Sequence, residues 1–198
     1  MAAQLQELAG TTVLESVLEP VLLRPWRDTD ADGLLAISSS DPDLVRQMPQ
    51  VASAEDAVRV IAERFPWSPE HVNAAIEVGG LAVGNVGVTN IRREGPSAGT
   101  AWVSYLSAAD VRGRGFVGRA TAALCAWALR DLGLARLELG YRENNPASAA
   151  VARRAGFVVE GLERQKLVYD GLRYDVVTCS RLASDPVPPA EAVTIQPA

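Results

Sequence analysis

Cysteine is scarce in this chain. Cys125 and Cys179 are the only two in 198 residues. They lie far apart, without metal-ligand spacing, and each falls inside an apolar segment. The expectation is two buried free thiols, no metal site and a reducing compartment. A basic excess is also lacking. Nineteen Lys and Arg stand against 24 Asp and Glu, a formal charge of −5, which argues against a nucleic-acid partner. The arginines therefore inform by location, not by number. No stretch reaches the ~18 apolar residues of a membrane span, and no basic region followed by an apolar run opens the chain. The expected location is the cytoplasm, with no membrane partner and a homodimer left open. The length suits one domain with a sizeable core.

What is present organises the chain into alternating short segments. Residues 1–18 read as a loosely attached arm, residues 19–183 as the folded domain, and residues 184–198, rich in Pro and Ala, as a disordered tail. Val21-Leu22-Leu23 is a short strand ending at Arg24-Pro25. Asp28 or Thr29 can cap a helix to about Ile37, and Ser53 with Asp56 makes a near capping box for a helix to about Phe65. Strands over 74–78 and 81–91 meet at Gly79-Gly80, a hairpin signal, and 99–107 is a further strand. From Phe116 the apolar period becomes helical and runs to about Gly133. A strand over 136–141 follows. Asn145-Pro146 then starts a helix that Gly156 ends. Strands over 157–162 and 173–182 flank an Asp170-Gly171 turn. The fold class is mixed α/β: a mostly antiparallel sheet of about seven strands, with one βαβαβ passage over 99–162 and about four helices.

The stretch "ADVRGRGFVGRATAAL" (109–124) places Arg112-Gly113-Arg114-Gly115 directly before a helix. The first N–H groups of a helix have no intrahelical partner, and the helix dipole favours an anion there. Glycines let a phosphate approach the backbone, and arginines bind it bidentately. The loop lacks the Gly-Lys-Ser/Thr ending of a Walker A site. It follows several strands, unlike a Rossmann glycine loop. A pyrophosphate without bound Mg²⁺ suits it; a solvated basic turn is the alternative.

"VRGRGFVGRATAAL" followed by "LARLELGYRENNPASAAVARRAGFVVEG" resembles the GNAT superfamily of acetyl-CoA-dependent N-acetyltransferases, closest to the ribosomal-protein-alanine (RimJ/RimL-type) branch. "VLLRPWRDTDADGLLAI", "AWVSYLS", "AGFVVEG" and "YDGLRYDVVTCSRL" fall in that branch's order, so the resemblance covers roughly residues 20 to 182. It implies a central sheet splayed in the middle, acetyl-CoA as cosubstrate, and direct attack by an amine in a ternary complex. The acceptor is a peptide N-terminus or a small-molecule amine. It further implies that Arg112, Gly113, Arg114, Gly115, Phe116, Val117, Gly118, Arg119 and Ala120 cradle the pyrophosphate. The strand at Tyr105 and Leu106 pairs with the pantetheine arm, and an N–H near Leu106 is the oxyanion donor. Val117 stands where the family prefers Gly or Ala, and Ser104 where the branch carries Gly.

Many relatives protonate the leaving thiolate with a Tyr seven residues after the helix-start Asn. Counting from Asn145 reaches Ala152, which cannot donate. Ser148 lies one turn earlier on the same face and is the acid candidate in this branch, while Asn145 both caps and can contact the pantetheine. For the base, Glu77 and Glu138 are plausible on the acceptor side, directly or through water; a solvated strand carboxylate is the other reading of each. The lone His71 reads as a surface-loop residue. Trp26, Trp67 and Trp102 could line an acceptor cleft, with core packing as the alternative. A CoA-binding sensor or structural protein that keeps the fold without turnover is the competing function.

Overall fold

The computed structural model describes residues 18–189 and 191–198. The arm expected at the N-terminus falls almost wholly outside these residues. Among the described residues, eight strands and four α-helices follow in the order β1 (Val21–Pro25), α1 (Ala31–Ser40), α2 (Ala54–Arg64), β2 (Val72–Val78), β3 (Leu81–Thr89), β4 (Thr100–Ser107), α3 (Phe116–Arg130), β5 (Arg136–Arg142), α4 (Pro146–Arg154), β6 (Val158–Tyr169), β7 (Leu172–Leu182) and β8 (Val193–Ile195). The strands form one mixed sheet in the order β6-β7-β5-β4-β3-β2-β1-β8. Neighbours are antiparallel except β4 with β5 and β1 with β8. On one face α1 packs on β3 with α2 against it; on the other α3 packs across β1 to β5 with α4 against it and on β5, with the apolar core between helices and sheet.

Local chemistry sets most boundaries as the sequence implies. The Ser53 hydroxyl accepts the Asp56 N–H at 3.1 Å and starts α2. The Asn145 amide oxygen accepts the Ser148 N–H at 3.0 Å, and Pro146 opens α4. Gly79 and Gly80, both at positive φ, turn β2 into β3. Both cysteines are buried free thiols.

Two expectations change. The α1 cap moves inward: Asp28–Asp30 form a 3-10 turn, and α1 begins at Ala31. The Asp30 carboxylate is engaged elsewhere, by the Arg27 N–H at 2.9 Å and both Arg24 Nη atoms at 2.7 and 2.8 Å. The tail expected to be disordered carries β8, which pairs in parallel with β1 from Val21↔Val193 to Leu23↔Ile195. Val193 and Ile195 pack against the core. Three residues are too few to show periodicity, yet the open edge of β1 offers them a full set of backbone partners.

Arg24 is only 2% exposed and holds two carboxylates, Asp30 and Glu77, tying β1 to β2 and to the start of α1. Burial opposes ionisation of Asp30, but the Arg24 and Arg27 hydrogen bonds outweigh it and hold its carboxyl below the ordinary 3.8. A depressed folded-state pKa means this contribution is complete above pH 3.8 and is lost as pH falls through the lower folded value. Asp30→Asn leaves the buried guanidinium with Glu77 as its one carboxylate. It should cost about 2 kcal/mol in urea unfolding at neutral pH and remove part of the acid slope of stability; an unchanged slope would contradict the pairing.

Candidate functional site

The sheet opens at its centre. β4 and β5 run parallel but pair only at Thr100↔Arg136, Ala101↔Leu137 and Trp102↔Glu138. Beyond this, β5 continues antiparallel on β7 to Arg142, while β4 continues on β3 to Ser107. Among the described residues the second half of β4 therefore has no strand on its β5 side. Which groups point there follows from register. Ala108 N–H donates to Val83 C=O at 3.0 Å, continuing the regular Asn85↔Leu106 ladder. In an antiparallel ladder alternate residues turn both backbone groups to the same neighbour. Leu106 and Ser104 thus face β3, and Val103, Tyr105 and Ser107 face the gap. The expectation for Leu106 is corrected accordingly. Its backbone is engaged by β3, with its carbonyl close over Gly84, and its side chain lines the cleft on the α1/α2 face.

Tyr105 crosses the gap on the α3/α4 side. Its hydroxyl donates to the Ser148 carbonyl in the first turn of α4 at 3.2 Å. Burial pushes the phenol up to about 12, with Ser148 pulling the other way, so Tyr105 stays a neutral donor. Asn145, Ser148 and Tyr105 thus meet at the first turn of α4, and Ala152, one turn further on, is buried.

The loop after β4 ends at the N-terminus of α3. The first helical bond is Arg119 N–H to Gly115 C=O at 3.1 Å. The N–H groups of residues 113–118 find no acceptor among the described residues, and no acidic residue sits in the first turn. Among the described residues nothing lies within 4 Å of a Cβ built on Gly113 or Gly115. Arg112 and Arg114 are about half exposed and each holds a remote carboxylate, Asp41 at 2.6 Å and Glu19 at 2.7 Å. Phe116, Gly118 and Ala120 turn inward, and Val117 is half-buried; only the backbone of 116–118 remains available. Arg119 departs from expectation. It is buried, and its guanidinium donates to the backbone carbonyls of Glu19 at 2.8 Å and Glu191 at 3.4 Å, bracing the chain beside β1 and the C-terminal segment.

On the opposite face a cleft of 520 Å³ lies beside β4, lined among others by Glu63, His71, Asn73, Asn85, Ser104 and Leu106. Neither expected base is on its wall. Glu77 is bound to Arg24. Glu138 is held by Arg136 at 2.9 Å, an arginine that also grips Glu160. Both carboxylates are in structural ion pairs. The tryptophans are not on its lining either: Trp26 sits behind it, stacked on Phe65 and donating to Asn85 Oδ1 at 2.9 Å, Trp67 packs on Trp127, and Trp102 covers Gly140. Sequence reasoning missed His71, Asn73 and Asn85. The alternation along β2 and β3 puts both asparagines on one face with Ser104, a signal readable only once the register is known.

The family model for the acetyltransferase (GNAT) domain matches residues 21–158. The chain is 26% identical over 165 residues to the Bacillus subtilis (strain 168) protein named "Probable N-acetyltransferase YjcK", covering 78% of this chain and 90% of that one. It is similar in fold to RimL, a ribosomal L7/L12 alpha-N-protein acetyltransferase solved with coenzyme A (TM-score 0.68, 22% identity, 81% and 92% of the two chains). It is also similar to Mycobacterium smegmatis RimJ, solved with a CoA-disulfide (TM-score 0.65, 25% identity, 81% of each chain).

Two glycines at the helix start should respond differently to alanine. Gly115 has φ +82°, so Gly115→Ala should cost about 1–2 kcal/mol from left-handed strain alone. Gly118 is helical, and the nearest atoms to its added methyl belong to the Arg154 side chain, the closest at 2.7 Å, which can shift. Gly118→Ala should be closer to neutral in the same denaturant titration; the reverse ranking would contradict this loop geometry.

Proposed function

The chain belongs to the GNAT acetyltransferase family, and on that premise we propose that it is an acetyl-CoA-dependent N-acetyltransferase. The cosubstrate enters the β4/β5 gap from the α3/α4 face and the amine arrives through the cleft on the other. The observation that carries this reading is the alignment of two unused sets of backbone groups: those of β4 facing the gap and the N–H groups of residues 113–118 at its end. The residues present suit the cosubstrate, since among the described residues a Cβ built on Gly113 or Gly115 meets nothing within 4 Å. Residues 113–118 would hold the pyrophosphate through N–H groups, joined by Arg112 and Arg114 as these exchange their carboxylates. The main chain of Tyr105 and Ser107 would hold the pantetheine, with Asn145 and Ser148 at its thiol end. When bound, acetyl-CoA supplies the acetyl thioester.

The chain's own part is positioning and proton management. A gap-facing N–H of β4 polarises the carbonyl oxygen that lies against it. The Ser148 hydroxyl gives a proton to the departing sulfur. Glu63 is the carboxylate on the cleft wall and takes the amine proton, directly or through water. The acceptor is a primary amine, on a peptide N-terminus or a small molecule.

Acetyl-CoA and desulfo-CoA should both raise Tm, because the pyrophosphate contacts do not involve the sulfur. Gly115→Asp should abolish that shift by setting a carboxylate against the phosphates; an unchanged shift would remove the loop from the site. Ser148→Ala should lower kcat by roughly ten- to a thousandfold with little change in acetyl-CoA affinity, measured by thiol release. Unchanged kcat would leave Ser148 as a helix-start residue only. Binding of acetyl-CoA without thiol release for any amine would favour a sensor over an enzyme.

A further inference from the structure

Three guanidinium groups gather at the N-terminus of α3. Arg114 and Arg119 lie over the Phe116 ring, 4.7 and 5.5 Å from its centroid. Arg154 comes from the last turn of α4. Its Cδ is 2.7 Å from a Cβ built on Gly118, so its stem crosses the first turn of α3. A cation beside the positive end of a helix dipole is unfavourable, and α3 has no acidic residue in that turn. Burial, followed by the nearby charge of Arg154, lowers the pKa of the Arg119 guanidinium from its ordinary value. Nothing in α3 itself balances this charge.

Carboxylates remote in sequence balance it instead. Arg114 holds Glu19 at 2.7 Å, and Arg154 holds Glu191 at 3.0 Å. Glu19 precedes β1 and Glu191 precedes β8, and the pairing of these strands brings their starts together: Val21 N–H donates to Ala192 C=O at 3.0 Å. Arg119 adds contacts to the backbone carbonyls of both glutamates. Pro188 Cγ lies 2.8 Å from a Cβ built on Gly156, so the C-terminal segment is seated by packing and backbone bonds as well. The Arg154–Glu191 pair is about half exposed, and such pairs contribute little to stability. It can open without undocking the segment.

We infer that Arg154 is a further ligand for the phosphates of the cosubstrate, and that Glu191 of the C-terminal segment masks it until they arrive. This rests on the acetyltransferase reading and extends its phosphate site to a residue of α4. The exchange breaks one solvent-screened ion pair and forms a charge-assisted contact at a helix N-terminus, where an anion is favoured. No proton moves, since both side chains stay charged. Glu191 acts through Arg154 and is a positioning residue. As a last-turn cation Arg154 also suits the dipole of α4, a role that by itself leaves cosubstrate affinity untouched.

The test uses the full chain and calorimetric Kd values for two probes, desulfo-CoA and its analogue without the 3′-phosphate. Arg154→Gln should weaken desulfo-CoA by roughly three- to tenfold. Arg154→Lys keeps the charge and should recover part of that loss. Glu191→Gln should tighten desulfo-CoA by roughly two- to fivefold, the range of an exposed ion pair. In the Arg154→Gln background the same change should give no gain, because the charge it unmasks is gone. A Glu191→Gln gain that persists there is a through-space effect and overturns the masking. An unchanged Kd in Arg154→Gln overturns the inference outright, while the cosubstrate site on α3 stands. A loss in Arg154→Gln that remains with the analogue assigns Arg154 to the pyrophosphate; a loss confined to desulfo-CoA assigns it to the 3′-phosphate. If desulfo-CoA does not bind the unmodified chain, the acetyltransferase reading fails and this inference with it.

Discussion

The parting of β4 from β5 after only three paired residues is the constraint on which the rest depends. A parallel pair buried mid-sheet would normally continue, because unpaired backbone groups are costly away from water. Here β5 is claimed by β7 along its whole length and β4 by β3, so each strand keeps one partner and turns its other edge to the gap. Trp102 lies over Gly140 where the strands separate, and Tyr105 reaches across to α4 on the far face. The gap is thus bounded on both faces by specific side chains, and its free backbone groups lead directly to those at the start of α3.

Charge is distributed to hold this arrangement. Arginine–carboxylate contacts tie elements together: Arg24 with Asp30 and Glu77 beneath α1, Arg136 with Glu138 on its own strand and with Glu160 on β6, and Arg112 with Asp41 between the loop before α3 and the end of α1. The first is buried and contributes to the fold. The Arg112 and Arg114 pairs are solvent-exposed and contribute little to stability, so an incoming phosphate can replace the carboxylates at small cost. Arg181 is buried without a carboxylate, donating to the Ala122 and Ala155 carbonyls and so linking α3 to the end of α4.

The two faces of the gap carry different chemistry. On the α3/α4 side lie backbone amides, glycines and the Tyr105–Ser148 contact, suited to a long ligand with phosphates at one end. On the α1/α2 side lies a cleft with buried amides whose direction is set by an indole and a proline carbonyl. In the proposed function, that division lets one layer of sheet separate a polyanionic cosubstrate from a polar acceptor and bring them together at its centre.

The sequence by itself determined the elements that rest on local interactions. The capped starts of α2 and α4, the Gly79-Gly80 and Asp170-Gly171 turns, and the glycine-arginine loop before α3 each depend on residues within a few positions of one another. Tertiary structure alone decided the rest, because the deciding partner lies far away in sequence. Glu77 reads as a free strand carboxylate until Arg24, 53 residues away, is seen to hold it. Leu106 reads as a gap residue until its register on β3 turns its backbone away. The tail reads as disordered until the open edge of β1 supplies its hydrogen bonds. His71 reads as a surface residue until β2, β3 and β4 assemble beside it. A carboxylate's role follows from which cation reaches it, and a strand's from which neighbour it pairs with; neither is a local property of the chain.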